Sequence, residues 1–263
     1  MVGSGPGCRR RTDERRRPGA GDRGVVTEEQ TSSQSGTGGY TGKVSPGGPP
    51  DVRELEHLTI TKVAVDEKMS NNCYLLTCRH TGEQVLIDAA DAAATLLPLV
   101  GDAPLTHVVT THQHWDHHRA LAEVVGATDA TTVAGEPDAA AVTEQTGVEV
   151  AVPVRHGDTV PVGDCTLEVI ALAGHTPGSI ALLYDDSASE GGHPHLFTGD
   201  SLFPGGVGNT FGDEAAFRQL IDEVATKVFD RLPDDTWFYP GHGDDSTIGA
   251  ERPHLQEWRE RGW

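Results

Sequence analysis

The sequence predicts a layered α/β domain. Strand-like apolar stretches come in runs with helix-like stretches interspersed, the pattern of packed layers and not of regular βαβ alternation. The 213 residues from 51 to 263 are enough to bury a sizeable core. One segment late in the chain carries an apolar stripe at helical spacing, as a helix covering a sheet must.

Residues 1–50 are expected to be a disordered tail. They hold 12 of the 32 glycines and 7 of the 16 arginines but a single aromatic, Tyr40. So few large apolar groups cannot offset the entropy of ordering the chain. The runs Arg9–Arg11 and Arg15–Arg17 read as a solvated tail or as a basic interaction arm. The domain is expected over 51–263.

Within it, strands are expected at Leu58–Val65, Cys73–Thr77, Gln84–Ile87 and Thr106–Thr110. Helices are expected at Ala90–Leu99 and at His117–Val125, where Leu121, Val124 and Val125 share a side. Further strands follow at Thr131–Ala134, Val150–Val154, Cys165–Leu172, Ser179–Tyr184 and His195–Thr198. The helix Asp213–Val228 aligns Phe217, Leu220, Ile221, Val224 and Val228 on one stripe. A last strand, Thr236–Tyr239, precedes a last helix, Glu251–Arg261.

Composition excludes several functions. With 40 acidic and 20 basic side chains the net charge is −20, the opposite of a nucleic-acid-binding surface. The same balance opposes docking to an anionic membrane, and no apolar run approaches the ~20 residues of a membrane span. The arginines at the N-terminus have no apolar stretch behind them, so no secretory signal is visible and a cytoplasmic location is expected. Cys8, Cys73, Cys78 and Cys165 form neither a disulfide framework nor a metal-ligand spacing.

The chemistry is concentrated where strands end. The run Thr111-His112-Gln113-His114-Trp115-Asp116-His117 follows the strand Thr106–Thr110. Alternation puts His112, His114 and Asp116 on one side, and a turn can bring His117 round to join them. Three imidazoles and a carboxylate at this density suit Zn²⁺, with Fe²⁺ or Mn²⁺ as alternatives. Three later sites repeat one design of strand, ligand-type residue and glycine turn: Gly174-His175, Gly199-Asp200 and Gly241-His242. Glycine there permits a tight turn and close approach to a buried pocket.

Taken together, His112, His114, Asp116, His117, His175, Asp200 and His242 match the motif of the metallo-β-lactamase superfamily in type and order, and residues 55–262 resemble that family. The resemblance implies a four-layer αββα sandwich with a dinuclear site. It implies that His112, His114 and His175 hold one divalent cation, that Asp116, His117 and His242 hold the other, and that Asp200 bridges them. It also implies hydrolysis by a metal-bound hydroxide, with Asp116 steering it and accepting its proton.

The strings Gly199-Asp200-Ser201-Leu202-Phe203 and Tyr239-Pro240-Gly241-His242-Gly243 resemble glyoxalase II-like hydrolases, and Thr247–Arg252 resembles their single-domain bacterial subgroup. The substrate implied is a small acyl thioester. Only 21 residues follow His242, and Asn209 stands where glyoxalase II proteins read arginine. Both departures point away from glutathione as the carrier thiol. Alternatives on the same fold are a lactone or β-lactam hydrolase, a metal-binding module without turnover, and a persulfide dioxygenase-like oxidoreductase with one iron on His112, His175 and Asp200.

Other residues are open to two readings. Asp88 either anchors a ligand loop or initiates a turn. Trp115 and Phe203 either wall a substrate mouth or pack in the core. His118 is expected at the surface. The remaining seven histidines (residues 57, 80, 107, 156, 193, 195 and 254) are expected to be structural, and the oligomeric state is not legible.

Overall fold

The computed structural model describes residues 39–262. Two sheets face each other. The first has seven strands in sequence order: β1 (Asp51–Glu54), β2 (Leu58–Ala64), β3 (Asn72–Cys78), β4 (Gln84–Ile87), β5 (Leu105–Thr110), β6 (Thr131–Gly135) and β7 (Val152–Val154). It is antiparallel from β1 to β4 and parallel from β4 to β7. The second sheet contains β8 (Thr159–Val162), β9 (Cys165–Ala171), β10 (Ile180–Asp185) and β11 (Pro194–Gly199). A small hairpin follows, β12 (Leu202–Phe203) with β13 (Gly206–Val207). The strands β14 (Trp237–Pro240) and β15 (Ser246–Thr247) complete the second sheet in the order β15-β14-β11-β10-β9-β8.

Alternation along the strands builds the layers. On β10, Ile180, Leu182 and Tyr184 point into the core between the sheets with Leu58, Ile60, Leu76, Leu167 and Phe197. Ala181 and Leu183 point the other way, under helix α4 (Glu214–Val224) and helix α6 (Leu255–Arg261), where Phe217, Leu220 and Trp258 cover them. The outer face of the first sheet is covered by α1 (Ala93–Val100), α2 (Leu121–Thr128) and α3 (Glu136–Thr146), through Leu96, Leu121, Val124 and Val142. The order helices, sheet, sheet, helices is the four-layer sandwich that the resemblance implies.

The differences from the sequence reading have local causes. Helix α3 is not visible in the periodicity because it buries only Val142 and Asp138. Helix α2 starts at Leu121 because Trp115–His117 forms a separate 3-10 turn. The expected helix Glu251–Arg261 is broken: α5 (Ile248–Glu251) passes through a 3-10 turn at Arg252–His254 into α6. Pro253 lies in that turn and has no N–H to continue an α-helix. The helical stripe of α4 continues through a π-turn, Ala225–Phe229, that keeps Val228 and Phe229 buried.

Composition also assigns too much chain to the tail. Residues 39–50 pack on the domain, and residues 1–38, with Cys8 and both arginine runs, lie outside the described residues. The Tyr40 hydroxyl donates to Asp245 Oδ2 at 2.6 Å. Its ring meets Trp237 and Tyr239 edge-on, and the Arg53 guanidinium sits 4.3 Å from the Tyr40 ring centroid and 3.9 Å from that of Trp237. This anchor, with Gly42 O on Lys62 Nζ at 2.7 Å and the Thr41 and Gly42 N–H groups on Asp51 Oδ2 at 2.8 Å, holds a segment whose average composition is that of a disordered chain.

Candidate metal centre

The expected ligands, and Asp88 beside them, all lie just past the C-terminal ends of strands. Asp88 follows β4, the run 111–117 follows β5, His175 follows β9, Asp200 follows β11 and His242 follows β14. β4 and β5 are parallel, as are β11 and β14, and β9 runs parallel to β11 because each is antiparallel to β10. These strand ends open at the same edge, and the seven side chains meet there.

Three groups of donor atoms each fit within 4.8 Å: His112, His114 and His175; Asp116, His117 and His242; and His112, His117 and Asp200. The first two are the expected ligand sets, and the third joins them through Asp200. Asp200 Oδ2 lies 3.6 Å from His175 Nε2 and 3.4 Å from His242 Nε2, and Oδ1 lies 3.4 Å from His117 Nε2. The carboxylate thus reaches both sets.

Neighbouring groups decide which ring nitrogen faces inward. His175 Nδ1 donates to Asn209 O at 2.7 Å, and His242 Nδ1 donates to Met69 O at 2.8 Å. His117 Nδ1 is 2.8 Å from Asp88 Oδ2. Thr111 Oγ1 donates to Asp88 Oδ2 and so accepts from His112 Nδ1, at 3.1 Å. All four rings are left with Nε2 for the centre, the arrangement by which outer hydrogen bonds orient metal ligands. His114 is turned the other way, with Nδ1 2.9 Å from His175 Nε2.

The donor set fits a cation on its own evidence. His112 Nε2 and Asp200 Oδ1 are buried and have no hydrogen-bond partner in the protein. Buried polar atoms are rarely left so unless something binds them. Three carboxylates, from Asp88, Asp116 and Asp200, give the pocket a demand for positive charge. Burial alone would push His117 down, but Asp200 and Asp88 outweigh it and hold it at about 10. Burial likewise opposes His242, and hydrogen bonds to Asp116 and Asp200 raise it to about 9. Burial pushes His112, His114 and His175 below the usual imidazole range. Asp200 and Asp116 are buried, which alone would raise them, yet the histidines around them hold both below the usual carboxylate range.

Close packing requires glycine at two points. A Cβ on Gly241 would stand 2.3 Å from Asp200 Oδ1 and 2.7 Å from His117 Cε1. Gly174, at φ +142°, lies against α4, where a Cβ would be 2.5 Å from Leu220 Cβ.

Of the open readings, Asp88 is an anchor: it also accepts from Thr111 N at 2.8 Å. Trp115 is exposed, stacked by Arg119 at 4.7 Å, and Phe203 is half-buried with its ring 6.4 Å from His242. His118 is buried, against expectation, because its Nε2 donates to Gln113 O at 3.2 Å inside the ligand loop.

Sequence reading misses four residues. Asn71 Nδ2 holds Asp116 Oδ2 at 3.0 Å, and Asn72 Nδ2 holds Pro240 O and Gly243 O around His242, both at 2.9 Å. Asp138 of α3 accepts from Gln113 N, Thr176 Oγ1 and Gly178 N at 2.9, 2.5 and 2.7 Å, which ties the loop of His112 and His114 to that of His175. Phe211 is 71% exposed, with its ring 5.7 Å from that of His114 and 5.9 Å from that of His175. An Asn-Asn pair entering a strand is the one signal the sequence offered.

All seven residues fall within the stretch that a family model matches. The model of the metallo-beta-lactamase superfamily matches residues 67–242, and the chain belongs to that superfamily. Among curated relatives, a hydroxyacylglutathione hydrolase of Polaromonas sp. is 34% identical over 190 residues, covering 70% of this chain and 66% of its own length. The chain thus spans just under two thirds of that relative. Among solved structures, ETHE1 from Myxococcus xanthus superposes with a TM-score of 0.64 at 33% identity, covering 76% of this chain and 84% of that one. TTHA1623 in a di-iron-bound form superposes with a TM-score of 0.56 at 29% identity, over 73% and 96% of the respective chains. The fold is one that binds divalent metal ions. No described helix is long and apolar enough to cross a membrane.

Proposed function

We propose that this chain is a dinuclear metal hydrolase that cleaves a small acyl thioester. The observation that carries the reading is Asp200, whose carboxylate reaches histidines of both ligand sets. His112, His114 and His175 would hold one divalent cation, and Asp116, His117 and His242 the other. Zinc suits these nitrogen and oxygen donors, with iron and manganese as alternatives. Bound there, the cations would lower the pKa of water toward neutrality and polarise the thioester carbonyl.

The chain's own residues supply the rest. Asn71 holds the Asp116 carboxylate at 3.0 Å, which places it to orient the attacking water and accept its proton. The water oxygen bonds to the acyl carbon, the C–S bond breaks, and the thiol carrier departs as thiolate. Phe211 and Phe203 stand by opposite ligand sets and flank the mouth through which the substrate enters. The relatives named hydroxyacylglutathione hydrolase support this reaction class. Asn209 contributes a backbone carbonyl to His175 and no positive charge, which favours a carrier other than glutathione.

A second reading is a persulfide dioxygenase-like enzyme with one iron on His112, His175 and Asp200. It is favoured by His112 Nε2 and Asp200 Oδ1, two of the buried side-chain atoms that lack a hydrogen-bond partner. Metal analysis of protein purified without added metal separates the two. The hydrolase reading expects close to two ions per chain and turnover of S-lactoyl thioesters above lactones and a chromogenic cephalosporin. A single iron with oxygen uptake on a persulfide substrate would replace it with the second reading.

A further inference from the structure

A second chemically equipped cavity lies at the other end of the sandwich. β3 begins at Asn72 beside His242 and ends at Cys78, and β9 begins at Cys165 and ends near His175. The two thiols sit at the edge away from the metal centre, one on each sheet. Both line a cavity of about 670 Å³ together with His57, His80, Asp164 and Tyr184. The side chains of His57, His80 and Asp164 at its mouth are exposed, while both cysteines are buried.

The local geometry places both cysteines on the same cavity. Val162 pairs with Cys165, so Gly163 and Asp164 form the turn between β8 and β9. That turn packs on Cys78: a Cβ on Gly163 would be 2.8 Å from Cys78 Sγ. The Cys165 thiol donates to His57 O at 3.6 Å, and Arg79 N, next to Cys78, donates to the same carbonyl at 2.9 Å.

The two thiols are electrostatically unlike. Burial would raise Cys78, but hydrogen bonds from the Thr81 hydroxyl and from the backbone N–H groups of Thr81, Asp164 and His80 bring it down to about 7. Burial and the neighbouring Cys78 sulfur push Cys165 up to about 11. A thiolate beside a protonated thiol is the pairing of an attacking and a resolving cysteine.

We propose that Cys78 and Cys165 are a redox-active dithiol that exchanges with low-molecular-weight disulfides and closes into a disulfide joining the two sheets. The Cys78 thiolate attacks one sulfur of the small disulfide, forming a mixed disulfide and releasing one thiolate. That step removes the charge on Cys78 and with it part of what keeps Cys165 protonated. Cys165 then loses its proton to solvent and attacks Cys78 Sγ, releasing the second thiolate. The two protein thiols are oxidised and one small disulfide is reduced to two thiols. None of this involves the metal centre or depends on the hydrolase reading.

The test uses the full chain carrying Cys8→Ser, incubated with oxidised glutathione, quenched in acid and weighed intact. The expected product has lost two thiols and about 2 Da, and peptide mapping links Cys78 to Cys165. With Cys165→Ser added, one glutathione adduct should persist on Cys78. With Cys78→Ser added, neither product should form. The proposal is overturned if the Cys78→Ser protein is oxidised like its parent or the adduct settles on Cys73. It is equally overturned if the dithiol stays reduced where a free cysteine peptide is fully consumed.

Discussion

Asp88 Oδ2 lies 2.8 Å from His117 Nδ1, and the same oxygen accepts the Thr111 hydroxyl that in turn holds His112. One buried carboxylate thereby orients a histidine of each ligand set. Asp88 adopts φ 58°, an uncommon conformation for a residue with a Cβ. Strain of this kind persists where surrounding bonds over-determine it. Asp88→Ala should weaken metal affinity about 10–100-fold, measured by chelator competition, because both rings lose the partner that fixes them. Unchanged affinity would show that packing alone holds the rings.

The proposed bridge sets Asp200, which reaches histidines of both groups, apart from the other candidate ligands. Asp200→Ala should lower metal content at both sets, whereas His242→Ala should empty mainly the set with Asp116 and His117. Elemental analysis of the two purified variants checks this. Full metal content in Asp200→Ala would remove the bridge from the scheme.

Asp138 satisfies two backbone N–H groups and one hydroxyl inside the protein. Replacing it by alanine leaves both N–H groups without this partner, while the Thr176 hydroxyl keeps Ser179 Oγ at 2.6 Å. The expected cost is about 2–5 kcal/mol of stability by denaturant unfolding, with weaker metal retention because both loops are freed together. Asp138→Asn keeps an acceptor and should lose less of each.

Gly174 has no room for a methyl group against Leu220 and Ala216 O. Gly174→Ala should therefore destabilise by about 1–3 kcal/mol and displace the His175 loop from α4. Thermal unfolding measures the first effect, and metal content the second.

The Cys78 thiol has a folded-state pKa of about 7, below its ordinary value, so its thiolate fraction rises through neutral pH. Its alkylation by iodoacetamide should accelerate from pH 6 to about pH 8 and then level off. Cys165, pushed up to about 11, should remain slow over that range. Peptide-resolved mass spectrometry reads both sites in one experiment, and equal rates at neutral pH would contradict the shift.

The parts legible in the sequence are those with a local signature. His112, His114, Asp116 and His117 stand together in the chain, and His175, Asp200 and His242 each follow an apolar strand and precede or follow a glycine. Strand periodicity marked β4 to the residue, and the stripe on α4 marked the helix over the second sheet. Local order and ligand chemistry are written in consecutive residues, so reading along the chain recovers them.

What depends on distant partners could not be read that way. Lys62 is an unremarked charge in a strand until folding buries its ammonium between Asp245 Oδ1 at 2.6 Å, Gly42 O at 2.7 Å and Gly243 O at 2.8 Å. Tyr40 looked like part of a tail until it met Asp245, 205 positions on. Asp138 sits on a helix with almost no apolar face, and His118 is buried with its Nε2 donating to Gln113 O. The sequence by itself determined the layers and the residues that meet at the candidate centre, since both arise from patterns within short stretches. The tertiary structure decided which ring nitrogens face the centre, which carboxylates hold the loops and which cavity two cysteines share, because hydrogen bonds and burial act between residues that the chain separates.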